Sequence, residues 1–397
     1  MKKKLTVLLL VLVMIVASLG ALTALTGCNG ETEKEGFLVG AIYINSKTDN
    51  SGYTYAHHQG IVKAMKELGM NPDTQLKIVD NVPEDYQQVT DAIDALAGQG
   101  CQLIIGISFG YGDAMAAAAK KPEYSDIIFT HATGAMSSLD SDDYTTSFNN
   151  YFGRIYQARY LSGIAAGLKA SQGGKIGYVA AYGIEYAETC SGINAFALGV
   201  QAVNPTAEVI VKKLSTWGDQ TKERQAAVEL ANIGCEVIAQ HCDSSQPQIV
   251  AQEKGIFGCG YNSDMTSEAP DAHLTAPIWN WNVYYKLAID TAMNDPENYM
   301  EKVTNYYGGL KEGFVDISPL SKNVTEDTAA KIEKVRDLIV SGKWDVFTDV
   351  KLSFDAEGNI VKTESPLLKA DGTEAGVVDD VVIKATMNYY VKGVSEK

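Results

Sequence analysis

The sequence predicts an α/β fold made of two doubly wound parallel-sheet lobes, and three observations point there. From Gly36 onward, short β-branched runs alternate with stretches of helical periodicity. Apolar strands separated in this way by helices belong to parallel sheets covered on both faces. The alternation occurs twice, on either side of a long helical segment from about Arg154 to Lys169. Beyond the N-terminal leader, about 370 residues remain, enough for two domains that each bury a core.

In the first half, Phe37-Leu38-Val39-Gly40-Ala41-Ile42-Tyr43-Ile44 reads as a buried strand. Ile61, Val62, Met65 and Leu68 then share one helical face, and Gly69 stops that helix. Leu76 to Val79 is a second strand. Val89, Ala92, Ile93 and Leu96 mark a helix that ends at Gly98 and Gly100. Leu103 to Ile107 is a third strand, Asp113 to Lys120 an Ala-rich helix, and Ile127 to Phe129 a fourth strand. The second half repeats the rhythm. Its strands are Ile176–Val179, Val209–Val211, Glu236–Ala239 and Ile256–Phe257. Helices carrying Ile193, Phe196, Ala197 and Val200, then Glu223–Ile233, then Gln246–Lys254, lie between them. Leu274 to Ile278 (strand) and Val283 to Met293 (helix) are where the chain crosses back. Asp355-Ala356-Glu357-Gly358-Asn359 is a turn signal for a small hairpin. The division expected is residues 36–148 plus about 274–305 for the first lobe. Residues 149–273 plus about 306–397, with the hairpin, form the second.

The leader begins Met1-Lys2-Lys3-Lys4, runs apolar from Leu5 to about Leu25, and ends Leu25-Thr26-Gly27-Cys28. A basic start, an apolar middle and small residues make a secretory signal over residues 1–27. Cys28 after Leu-Thr-Gly resembles a bacterial lipobox, in which the thiol takes a lipid. A plain signal peptide or an N-terminal membrane helix would share the start and the apolar run. The lipobox reading puts the folded part outside the cytoplasm, held to the bacterial cell membrane through a polar tether over residues 28–35. Elsewhere no apolar run nears the ~20 residues that span a bilayer.

Net charge is −16, and about −19 without Lys2, Lys3 and Lys4, which argues against nucleic acid as a partner. Six cysteines occur, with no Cys-x-x-Cys. Cys101, Cys235 and Cys259 fall in apolar runs and read as buried, while a Cys190–Cys242 bridge stays open. Only four arginines occur and they form no cluster, so a phosphorylated ligand is not expected.

In open sheets, ligands bind beyond the carboxyl ends of the strands, so the residues there are the candidates. Asp49, Asn50 and Tyr53 follow the first strand. They can hold a ligand's polar edge and stack on its ring, or equally cap a helix beside surface tyrosines. His57 and His58 are adjacent and point apart on a helix, so they do not share a metal. Phe109 and Tyr111 flank glycines after the third strand. Gly106-Ile107-Ser108-Phe109-Gly110 matches the Gly-x-Ser-x-Gly nucleophile elbow, although a glycine turn open to a ligand explains it too. Gln240 to Pro247, with Asp243, and Gly260 to Met265, with Asp264, are polar sets after later strands. Trp279 and Trp281 flank Asn280 at the crossing, where Trp279 is assigned to a ligand ring and Trp281 to the lobe interface. No cofactor motif is present. A metal site from His131, His241, His273 and carboxylates is a weak alternative.

These loops resemble the basic membrane protein (BMP, PnrA-like) substrate-binding lipoproteins of ABC transporters. The resemblance runs through Asp49 to His57, Ser108 to Tyr111, Asn149-Asn150-Tyr151, Asp243-Ser244, Tyr261 to Met265 and Trp279-Asn280-Trp281. It continues in Gly342 to Phe347 and Met387 to Val394. It implies a type I periplasmic-binding-protein fold, capture of a small molecule between two lobes that close by a hinge, and an ABC permease as partner. It also implies a purine base or purine nucleoside as ligand, with Tyr53 stacking on it and Asp49 or Asn50 reading its edge. In the family an acidic residue and a lysine hold the ribose. Asp264 covers the first, and Trp279-Asn280-Trp281 falls near the place of the second, which favours a base over a nucleoside. No catalytic residue is expected, and the chain is expected to be monomeric. Riboflavin or another flat heterocycle is the alternative ligand. An extracytoplasmic hydrolase or nucleoside-processing enzyme is the alternative of another class.

Overall fold

The computed structural model describes residues 36–50, 52–133 and 145–397. The leader, Cys28 and the tether lie outside the described residues. Among the described residues no helix is long and apolar enough to cross a membrane.

The first lobe alternates β1 (Val39–Ile42), α1 (Gly52–Glu67), β2 (Leu76–Val79), α2 (Tyr86–Gly98), β3 (Leu103–Gly106), α3 (Gly112–Ala118), β4 (Ile128–Ala132) and β5 (Phe148–Gly153). Helix α4 (Ile155–Lys169) leads into the second lobe. There follow β6 (Lys175–Ala180), α5 (Ala187–Val203), β7 (Glu208–Lys213), α6 (Gln220–Asn232), β8 (Cys235–His241), α7 (Gln246–Glu253), β9 (Phe257–Cys259) and β10 (His273–Thr275). The return runs through β11 (Pro277–Trp279), α8 (Trp281–Asn294), β12 (Tyr306–Gly308), β13 (Val315–Ile317) and α9 (Thr328–Val340). The tail adds β14 (Val350–Phe354), β15 (Ile360–Glu364) and β16 (Val394–Glu396).

Two six-stranded sheets result, ordered β12-β5-β4-β3-β1-β2 and β10-β9-β8-β6-β7-β16. Every pairing in both is parallel. This is the predicted α/β class with two doubly wound sheets. In each sheet the chain reverses its direction of travel beside the first strand, at β1/β3 and β6/β8, opening a crevice at the strands' carboxyl ends. β1 and β3 are buried on both faces, as continuous apolar runs require.

The lobe boundaries need correction. β5, given to the second lobe from residue 149, pairs with β4 in the first sheet, and β12 pairs with β5 there. β10, given to the first lobe from residue 274, extends the second sheet through β9. All three are edge strands or their neighbours at the crossings, and periodicity does not say which sheet such a strand joins. The predicted hairpin is present as antiparallel β14 and β15 around Asp355–Asn359. β13 and α9 were not anticipated. β13 pairs antiparallel with β11, tying two crossing segments together.

Helix α4 is buried from Ile155 to Gly167. Its backbone touches that of α5, because a Cβ at Gly163 would lie 2.1 Å from the Phe196 carbonyl oxygen and one at Gly199 2.0 Å from that of Tyr160. The five described cysteines are free and buried. Cys190 points its Sγ at the Tyr389 carbonyl, 3.1 Å away, so it does not bridge to Cys242.

Candidate functional site

A cavity of about 700 Å³ lies where the carboxyl ends of the two sheets face each other. The first lobe contributes Ile44 and Asn45 after β1, Glu84 after β2, Ser108 and Phe109 after β3, Thr133 after β4, and Tyr53 from the first turn of α1. The second contributes Tyr182 and Glu185 to Glu188 after β6, Trp217 after β7, His241 and Asp243 at and after the end of β8, and Tyr261 after β9. Lys384, from the tail, is the one Lys or Arg among the described lining residues.

Rings come from both lobes. Trp217 meets Tyr182 edge-on at 4.7 Å and Tyr186 at 5.3 Å, and those two tyrosines are 4.5 Å apart. Phe109, 51% exposed, reaches across from the first lobe to Tyr186 at 6.0 Å. Tyr53 rests on His57 at 4.3 Å, and its hydroxyl is buried without a hydrogen-bond partner among the described residues. Such faces stack on a planar ligand, each pair contributing about 0.5–1.5 kcal/mol beyond burial.

Carboxylates stand among the rings on both sides. Glu84 Oε1 accepts from the Ser108 hydroxyl (2.6 Å) and the Gly110 N–H (2.8 Å). His131 instead donates through Nε2 to the Ser108 carbonyl oxygen (2.8 Å) and accepts at Nδ1 from Asn150 (2.8 Å). The Ser108 hydroxyl is therefore bonded to a carboxylate rather than to this imidazole, unlike a nucleophile with its base. Glu185 is paired with Lys213 and accepts from the Gly183 N–H at 3.0 Å. Glu188 Oε1 lies 3.2 Å from His241 Nε2. Burial first, and the nearby Arg159 guanidinium second, push the His241 pKa down, so the ring is neutral. Arg159 stands 4.0 Å over the Tyr261 ring and donates to the Tyr178 hydroxyl (2.7 Å) and the Gln240 carbonyl (3.0 Å). Asp243 is pushed up to about 8 by burial and then by the Glu223 carboxylate, while a 3.4 Å bond from Asn262 works the other way. Near neutral pH it is a carboxyl group that can donate.

Of the sequence-predicted residues, Tyr53, Phe109 and Asp243 line the cavity. Asp49 is half-buried and Asn50 exposed, both outside the lining. Their loop instead presses on the Asp243 backbone: a Cβ at Gly52 (φ +83°) would sit 2.2 Å from that carbonyl oxygen. Burial, then Asp80, raise the Asp49 pKa. Tyr111 lies in the core of the first lobe and donates to the Val82 carbonyl (2.5 Å). The turn Phe109–Tyr111 rotates one aromatic outward and the other inward. Asp264 is outside the cavity, accepting from the Thr266 N–H (2.9 Å) and hydroxyl (2.6 Å). Trp279 is buried, stacked on Trp281 at 4.6 Å and tilted against Phe152 at 4.7 Å. It packs the crossing, as Trp281 does, and does not line the cavity. Tyr182, Tyr186, Glu188, Trp217 and Glu84 were missed. The signal that could have found them is their place just beyond β6, β7 and β2.

A family model for the PnrA-like substrate-binding proteins of ABC transporters (Bmp) matches residues 37–348. A purine-binding protein of Brucella abortus is 34% identical over 367 residues, 92% of this chain and 94% of that protein. A putative ABC transporter glucose-binding protein of Haloferax volcanii is 31% identical over 322 residues, 81% and 77% of the two chains. Among solved structures, an ABC transporter solute-binding protein from Conexibacter woesei matches with TM-score 0.62 at 16% identity, over 78% of this chain and 98% of that one. The two parallel sheets and this likeness make the fold the type I periplasmic-binding-protein fold. With this fold, a cleft between its sheets and a family match over most of its length, the chain belongs to the PnrA-like family of ABC transporter substrate-binding proteins.

Proposed function

We propose that this chain captures a purine base or purine nucleoside outside the cytoplasm and passes it unaltered to an ABC permease. The observation that carries the reading is the set of rings facing one another across the cleft. Tyr53 and Phe109 come from one lobe, Tyr186 and Trp217 from the other, around about 700 Å³. A flat, neutral heterocycle gains from both sides at once, so its binding favours the closed arrangement of the lobes. The cleft lacks a lining arginine among the described residues, which disfavours a phosphorylated ligand. The Brucella relative, described as purine-binding, supports the same ligand class. A lipid on Cys28 would keep the chain, a monomer in this reading, near its permease. Loss of acyl labelling in Cys28→Ala tests the anchor.

A sugar is the second reading. The Haloferax relative is described as a putative glucose-binding protein, and rings beside carboxylates also suit a hexose. Native mass spectrometry of the chain purified from a bacterial host separates the two. A co-purified mass matching adenine, guanine, hypoxanthine or one of their nucleosides is expected. A bound hexose or riboflavin, or no thermal shift with any purine, overturns the proposal. Turnover of an ester or a nucleoside, lost in Ser108→Ala for the ester, would establish an enzyme instead.

A further inference from the structure

The carboxylates of the cleft differ in what they already hold. Glu84 is occupied by Ser108 and Gly110, and Glu185 by Lys213 and Gly183. Glu188 Oε1 stands 3.2 Å from Nε2 of the neutral His241 ring, yet it is buried without a hydrogen-bond partner among the described residues, so neither its charge nor its acceptor capacity is taken up. The His241 Nδ1 lies 3.6 Å from where a Cβ on Gly192 would stand, so that nitrogen is turned toward the second turn of α5 and Nε2 toward Glu188 in its first turn. Asp243 holds a single long bond, 3.4 Å, from Asn262 among the described residues. Lys384, the one Lys or Arg among the described lining residues, sits 5.1 Å over the Tyr307 ring, and the buried Arg159 guanidinium stands behind His241, 4.0 Å over the Tyr261 ring.

We propose that Glu188 is a specificity-determining residue. Its carboxylate, buried at Oε1 and left without a donor, accepts hydrogen bonds from the donor edge of the ligand, an exocyclic amine or ring N–H, and repels planar heterocycles that carry negative charge. The inference rests on the purine reading and narrows it to uncharged, donor-bearing purines. Two physical terms act together. A charge-assisted bond to a carboxylate is stronger than a neutral one, and the gain requires a donor on the ligand. An anionic ring would meet like charge in a space walled by low-dielectric rings, where screening is weak. The neutral His241 offers no compensating charge, and the Arg159 guanidinium behind it is turned to the Tyr178 hydroxyl and the Gln240 carbonyl, outside the cavity lining.

The test is isothermal titration of the full chain, stripped of ligand, at pH 7.5 with adenine, hypoxanthine and urate. Urate carries a negative charge at that pH. Adenine or hypoxanthine is expected to bind at least about tenfold tighter than urate, a gap of about 1.4 kcal/mol. In Glu188→Gln, neutral purines should weaken about tenfold and the gap to urate should narrow. Urate binding as tightly as adenine in the unaltered chain overturns the inference. So does a Glu188→Gln chain, folded by circular dichroism, with both the affinities and the gap unchanged. If that variant does not fold, the ranking in the unaltered chain decides. If no purine binds while glucose or riboflavin does, the purine reading itself has failed, a result distinct from loss of discrimination among purines.

Discussion

Trp217→Ala is the sharpest probe of the cleft. The indole stands on the loop after β7, two residues past Ser215 (φ +56°), and is half-buried. Its ring neighbours, Tyr182 and Tyr186, themselves line the cavity, with the His241 ring farther off at 6.4 Å. Removing it therefore leaves both sheets untouched. One stacking face is lost, worth about 0.5–1.5 kcal/mol. A purine would also cover roughly 40–60 Å² of the indole, and at ~25 cal/mol per Å² that adds about 1–1.5 kcal/mol. The sum, about 1.5–3 kcal/mol, is a rise in Kd of roughly 10- to 150-fold. Calorimetric titration with the purine identified by mass spectrometry reads it directly, and a thermal melt confirms that the variant is folded. Trp217→Phe, which keeps a ring, should recover most of the loss. A folded Trp217→Ala that binds within about threefold of the unaltered chain would remove this ring from the site and refute the facing-ring argument.

Three further outcomes follow from the same geometry. Asp264→Ala should leave purine affinity within about twofold, since Asp264 bonds to Thr266 outside the cavity; a tenfold loss would return it to the site. Gly163→Ala forces a methyl to 2.1 Å from a backbone oxygen that no rotamer can move, so α4 and α5 must part. The expected cost is about 3 kcal/mol in a urea melt, and a loss below about 1 kcal/mol would contradict the packing. Stability should also peak near about pH 6.5. Burial pushes His131 and His273 down to about 4, whereas in the unfolded chain they titrate near about 6.5. The native state thus binds fewer protons, and stability present above about pH 6.5 is lost as pH falls toward 4. Asp243 acts in the opposite sense. Its raised pKa of about 8 gives stability that is complete below the unfolded value of about 3.9 and lost as pH rises through 8. Urea midpoints measured from pH 4 to 9 check this, and Asp243→Asn should flatten the alkaline side. An alkaline side unchanged by that substitution would show that Asp243 is not the group responsible.

Part of the cavity wall was legible because strand ends are legible. Tyr53, Phe109 and Asp243 each follow a run that sequence marks as a buried strand, and the doubly wound order brings those ends together. Tyr111 and Trp279 show where the reasoning stops. Phe109 and Tyr111 are both aromatics beside glycines, and one tight turn sends the first to the cavity and the second to the core. Trp279-Asn280-Trp281 looks the same whether it faces a ligand or fills a crossing; the stack of Trp279 on Trp281 and Phe152 fills the crossing.

What the sequence determined by itself was local and periodic: apolar runs of strand length, helical faces between them, the glycine stops, and their repetition in two halves. Those features follow from backbone geometry and burial, which act over a few residues. Sheet membership at the crossings was decided only by the assembled fold, because β5, β10 and β12 gain their partners from residues chosen by how the lobes pack. The same holds for Glu188 and Trp217. Glu188, in the first turn of α5, and Trp217, on the loop after β7, are ordinary residues in their own segments, and each becomes part of the cavity wall when two sheets turn their carboxyl ends toward one another.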